Sequence, residues 1–155
     1  VYLALVWGAP RRKHGAIDAP IGRHPSSRTK MAVLAPGKGR HAVTEWRAVE
    51  TFGPKSAPIA SLLECRLTTG RTHQVRVHLA HIGHPLIGDP LYGTGFKSKQ
   101  RALPEKLRGN LAKLDRQALH AAHLAFEHPA TGTLLRFNSA LPPDLAEIVD
   151  SFKEL

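Results

Sequence analysis

"TGRTHQVRVHLAHIGHPLIGDPLYG", residues 69–93, places Arg71, Arg76, four histidines and a Gly-Asp-Pro turn in one short stretch. Thr72 reads as the cap of a helix of about three turns, with Val75, Leu79 and Ile82 on one face. Gly83 followed by Pro85 ends it. The stretch before it, Ile59 to Thr68, shows the partial alternation of a strand. A strand that turns directly into a capped helix presents backbone N–H groups, Arg71 and Thr72 at a helix amino terminus, an arrangement suited to anions. A metal fits less well. His73, His78, His81 and His84 are spaced H-x4-H-x2-H-x2-H, so only His78 and His81 are neighbours on a helix, and His84 lies past the Gly83 break. No acidic residue stands between Glu64 and Asp89, and two arginines would repel the ion.

Outward from this stretch the chain reads as an α+β domain. We expect a mostly antiparallel mixed sheet with a few flanking helices. Val1 to Trp7 is an apolar strand, and Thr44 to Phe52 pairs antiparallel with Ile59 to Thr68 across a Gly53-Pro54 turn. Leu103, Leu107, Leu111 and Leu114 recur at helical spacing in a polar setting, which predicts an exposed helix. Ala118 to Glu127 and Leu134 to Leu141 flank a Pro- and Gly-punctuated turn and form a second strand pair. Asp144 with Glu147 suggests a capping box for a last helix striped by Leu145, Ile148, Val149 and Phe152.

The chain has 155 residues, enough for one core and one domain. It carries 22 Lys and Arg against 12 Asp and Glu, a net charge of +10, which favours a polyanionic partner, nucleic acid first. Nine of these cations lie between Arg11 and Arg47 among Gly and Pro, an exposed basic flap. Cys65 is the single cysteine, which excludes an internal disulfide and a Cys-rich zinc site and makes a reducing cytoplasm the default. No apolar run reaches the roughly 20 residues of a membrane span. We expect no membrane partner and a monomer, although an exposed strand edge could pair with another copy.

The opening stretch resembles the third motif of the RluA/RluD family of pseudouridine synthases, close to G-R-T-H-Q-[IV]-R-V-H followed by G-H-P-[ILV]-x-G-D-x-x-Y-G. Further stretches agree in order: Tyr2-Leu3-Ala4-Leu5-Val6, Ile21-Gly22-Arg23-His24-Pro25, Lys30-Met31-Ala32-Val33, Ala42-Val43-Thr44, Arg116 to Ala121, and Phe126 to Pro129. The resemblance covers essentially the whole chain and leans toward the RluD type, which modifies large-subunit ribosomal RNA. It implies cleavage of a uridine's glycosidic bond and rejoining through C5, with RNA as partner and with no cofactor or metal. It also implies a nucleophilic aspartate in an H-R-L-D type motif. This sequence has no such motif; its aspartates are Asp18, Asp89, Asp115, Asp144 and Asp150.

The chain therefore resembles the carboxy-terminal part of a synthase's catalytic domain, residues 1–155 forming one partial domain. We expect it to be inactive alone. Position by position, the resemblance makes Arg76 the partner of the absent aspartate and Tyr2 the ring against the target base, with Leu119 or Leu124 as an apolar wall. Arg71 and the flap residues Arg23, Arg28 and Lys30 are candidate phosphate contacts. Thr72, His73 and Gln74 join them at the RNA-binding surface, the last two also orienting the loop. Asp89 reads as a brace of the Gly-Asp-Pro turn. The chemistry agrees with these roles: a buried carboxylate nucleophile needs a fixed guanidinium to stay ionised, and an extruded base needs an aromatic surface. The alternative is a non-catalytic RNA-binding module on the same fold.

Overall fold

The computed structural model describes residues 1–155. Five strands build the main sheet in the order β2-β5-β6-β1-β7, antiparallel throughout: β1 (Tyr2–Trp7), β2 (His14–Asp18), β5 (Val43–Phe52), β6 (Ala60–Leu67) and β7 (Leu119–Ala121). The central position of β1 follows from its composition, since Ala4, Leu5, Val6 and Trp7 are buried on both faces. Two short hairpins stand apart from the sheet, β3 (Ile21–Arg23) with β4 (Met31–Val33) in the flap, and β8 (His123–Glu127) with β9 (Leu134–Asn138).

The alternation of β1 and β6 divides the core. One face carries Leu5, Trp7, Leu62 and Phe52 toward α3 (Glu105–Lys113) and α4 (Pro143–Lys153). The other carries Ala4, Val6, Leu63 and Cys65 toward α1 (Gln74–His81), whose Val75 and Leu79 complete that layer. Cys65 lies at the centre of the sheet, opposite Tyr2 on one side and Trp46 on the other. Burial pushes its thiol pKa up to about 12.

Three local expectations give way to tertiary contacts. The leucine stripe is not on an exposed helix: the segment breaks into α2 (Lys97–Arg101) and α3 around Pro104, and Leu103, Leu107 and Leu111 are buried against Leu145, Ile148 and Phe152 of α4. The capping box does not form. Pro142 is the α4 cap residue, Pro143 opens the helix, and the Asp144 carboxylate accepts three hydrogen bonds from Arg116, one from Nε at 3.0 Å and two from Nη2 at 2.8 and 3.0 Å. Thr72 does not cap α1 either; His73 occupies that place in a left-handed conformation, φ 57°, and the helix runs only eight residues. At its other end the Gly83 N–H donates to the Ala80 carbonyl and the His84 N–H to that of Leu79, the reciprocal pattern that a left-handed glycine permits. No helix is long and apolar enough to cross a membrane.

Candidate functional site

Gln74, the first residue of α1, is buried and uses every hydrogen-bonding position of its amide. Its oxygen accepts from the Thr69 hydroxyl and the Arg71 N–H, both at 2.9 Å, and its nitrogen donates to the Val43 carbonyl at 2.8 Å and Thr44 Oγ1 at 3.1 Å. The loop before the helix is thereby fastened to β5. The same hydroxyl of Thr44 lies 2.9 Å from His78 Nδ1, and His78 Nε2 lies 2.9 Å from the Ala19 carbonyl. A carbonyl can only accept, so His78 carries its proton on Nε2 and accepts a hydrogen bond from the Thr44 hydroxyl at Nδ1. Burial holds its pKa below the ordinary histidine value, the Ala19 carbonyl opposing.

Two residues from both Gln74 and His78, about half a turn, Arg76 projects away from this buried network. Its Nε donates to Asp89 Oδ2 at 2.7 Å and its Nη2 to Asp89 Oδ1 at 2.8 Å, a two-point fork. The Asp89 side chain is fully buried and that of Arg76 is 11% exposed. Asp89 Oδ1 also accepts the N–H groups of Leu91, at 2.9 Å, and Tyr92, at 3.1 Å, which closes the Gly-Asp-Pro turn around the carboxylate. Burial would raise the Asp89 pKa, but the Arg76 hydrogen bonds, the two backbone N–H groups and the guanidinium charge together hold it below the ordinary carboxylate range. Gly88 lets the turn pass close to the chain: its φ is 73°, and a Cβ there would lie 2.5 Å from the Arg116 carbonyl.

The Tyr92 ring lies under the guanidinium, 5.0 Å from Cζ to the ring centroid. Its hydroxyl accepts the Met31 N–H at 2.8 Å and stands 3.0 Å from His73 Nδ1. Burial and the neighbouring Arg76 charge lower the His73 pKa, against an opposing pull from Asp89. Residue 92 thus links the flap hairpin, the loop before α1 and the Arg76–Asp89 pair. Nothing in the spacing of the sequence marks Tyr92 for this; only the fold brings Met31 to it.

Arg76, His73 and Gln74 therefore gather around α1, with Arg71 beside them, its Nε donating to the His41 carbonyl at 2.9 Å. Thr72 is exposed at the turn. Gln74 faces inward and fixes the loop, with no surface left for RNA. Tyr2 and Leu119 lie together, both packed on the edge of the cluster that includes Val75 and Leu79. Leu124 is elsewhere, 58% exposed on β8. Arg23, Arg28 and Lys30 sit in the flap, where Arg23 Nη1 reaches the Arg28 carbonyl at 3.4 Å. Asp89 is an acidic partner of Arg76 within this chain, and its turn reaches the guanidinium because α1 and the Gly-Asp-Pro loop are joined by a short reversal at Gly83. Neither Arg76 nor Tyr2 lines any of the principal surface clefts.

A family model described as RNA pseudouridylate synthase matches residues 1–81, more than half of the chain. The chain belongs to the pseudouridine synthase family. It is 46% identical over 155 residues to the ribosomal large subunit pseudouridine synthase D of Nitrosomonas europaea, covering 99% of this chain and 41% of that protein. It is 45% identical over 136 residues to the protein of the same name from Escherichia coli K12, covering 88% and 39%. The chain thus spans about two fifths of the length of these relatives. Among solved structures it resembles human RNA pseudouridylate synthase domain containing 1, with a TM-score of 0.67 and 26% identity over 93% of this chain and 56% of that one. Human RNA pseudouridylate synthase domain containing 4 shares the fold at a TM-score of 0.65, 21% identical over 98% and 61%.

Proposed function

We propose that the protein carrying this chain converts uridine to pseudouridine in RNA, with large-subunit ribosomal RNA as the substrate. The observation that carries the reading is the 46% identity, over almost the whole chain, to synthases named for the large ribosomal subunit. In this reading the nucleophilic aspartate comes from polypeptide outside this sequence, and Arg76 and Tyr2 are the catalytic side chains supplied here. Arg76 suits that part because its third nitrogen, Nη1, makes no hydrogen bond within the chain, and because a guanidinium stays charged when partly buried. Tyr2 on β1 offers a ring at the edge of the α1 layer, with Leu119 beside it as an apolar wall. The flap arginines and Arg71 provide phosphate contacts. No cofactor or metal enters the proposed reaction, and the 155 residues alone are inactive.

The Arg76→Ala variant of the complete gene product tests this reading. Single-turnover conversion of ribosomal RNA should be abolished while RNA affinity stays within a modest factor; unchanged turnover would remove Arg76 from the active site. A second reading, an RNA-binding module without chemistry, is favoured by one observation, the internal satisfaction of Arg76 by Asp89. It requires that the complete gene product bind ribosomal RNA without forming pseudouridine.

A further inference from the structure

The buried carboxylate of Asp89 has more hydrogen bonds than closure of its turn requires. Two backbone N–H groups, from Leu91 and Tyr92, already complete the turn, yet the side chain also takes both the Nε and Nη2 edges of Arg76. A guanidinium presents two forks, one formed by Nε and Nη2 and one by the two Nη groups. With the first fork occupied, and the Tyr92 ring against one face of the plane, rotation about the last side-chain bonds is stopped. The outward edge carrying Nη1 is left for a second acceptor. A free arginine at this place would sample several rotamers and would have to order itself each time an acid approached.

Resting on the function proposed above, we infer that Asp89 is a positioning residue for the isomerisation: it locks Arg76 by one edge so that Nη1 is aimed at the nucleophilic carboxylate contributed from outside this chain. Asp89 touches neither RNA nor the reacting atoms. Its effect passes through Arg76, so it should act on turnover and leave RNA affinity largely alone.

The test uses the complete gene product and ribosomal RNA transcripts. For Asp89→Asn, whose amide keeps one oxygen for the turn, kcat should fall about 10- to 100-fold with KM within about threefold, because a misdirected arginine costs the chemical step rather than binding. A wild-type kcat in a variant with a native circular dichroism spectrum would overturn the inference. Chemical rescue gives a second readout: millimolar guanidinium ion should restore Arg76→Ala at least about tenfold, by occupying the carboxylate socket, and should not restore Arg76→Ala/Asp89→Asn. Equal rescue of both would overturn it. Should Asp89→Asn not fold, nitrogen-15 spectra of the wild-type protein decide: separate Nη1 and Nη2 signals for Arg76 are expected, and a single averaged signal would overturn the proposal. Full activity of Arg76→Ala would instead remove the functional reading on which this one stands.

Discussion

The α1 helix with the turn that follows it and the β8–β9 hairpin are held by opposite means. Around α1, no buried polar side-chain atom lacks a partner, and Gln74, His78 and Asp89 tie the helix to β5, to Ala19 and to the Gly-Asp-Pro turn. In the hairpin, Leu124, Phe126 and Phe137 are 58%, 43% and 53% exposed, and the Phe126 and Phe137 rings stack on each other at 5.9 Å. Its cross-strand ladder and a few contacts at its base hold it in place. Order at the candidate site is built from internal hydrogen bonds, while the hairpin contributes an apolar surface and little to the core.

Breaking the site should therefore cost most. Asp89→Ala leaves a partly buried guanidinium unpaired and frees two N–H groups, and should destabilise by about 3 kcal/mol in denaturant titration. Gln74→Ala should follow at about 2 kcal/mol, since it removes the acceptor of the Arg71 N–H and of the Thr69 hydroxyl. In the hairpin, Leu124→Ser should change stability by no more than about 0.5 kcal/mol, and a larger loss would mean the hairpin is part of the core. Hydrogen exchange sharpens the contrast at lower amplitude: amides of β8 and β9 should exchange well before those of α1 and β6.

The pH dependence carries the same asymmetry. His78 and His73 have folded-state pKa values below 6.5, so between that value and their own the unfolded chain binds protons that the folded chain refuses. Stability should be complete above about pH 6.5 and fall as the pH drops below it. The depressed Asp89 pKa adds a further loss below about 3.8, continuing down to its folded value. His78→Gln should flatten the first of these declines, as read from thermal unfolding between pH 7 and 5 (about two units).

Much of the fold was legible in local pattern: β1 is a continuous apolar run, β5 and β6 show partial alternation and α4 carries an apolar stripe, and each lies where that pattern puts it. What periodicity could not supply was partner choice. Leucines 103, 107 and 111 have the same spacing whether they face water or α4, and Asp144 is not the cap of a helix that Pro142 and Pro143 already begin. At the site, the motif made Arg76 conspicuous but not its neighbour. Asp89 lies 13 positions away and serves the turn as any Gly-Asp-Pro aspartate would, so its second task is invisible until α1 and the loop are set side by side.

Cys65 gives the molecule an internal reporter. A thiol on the central strand, facing the layer closed by Val75 and Leu79 of α1 and with its ionisation displaced to about 12, cannot meet an aqueous alkylating reagent unless that layer opens. Its labelling rate under native conditions is therefore a clock for the parting of α1 from the sheet, legible without adding any probe.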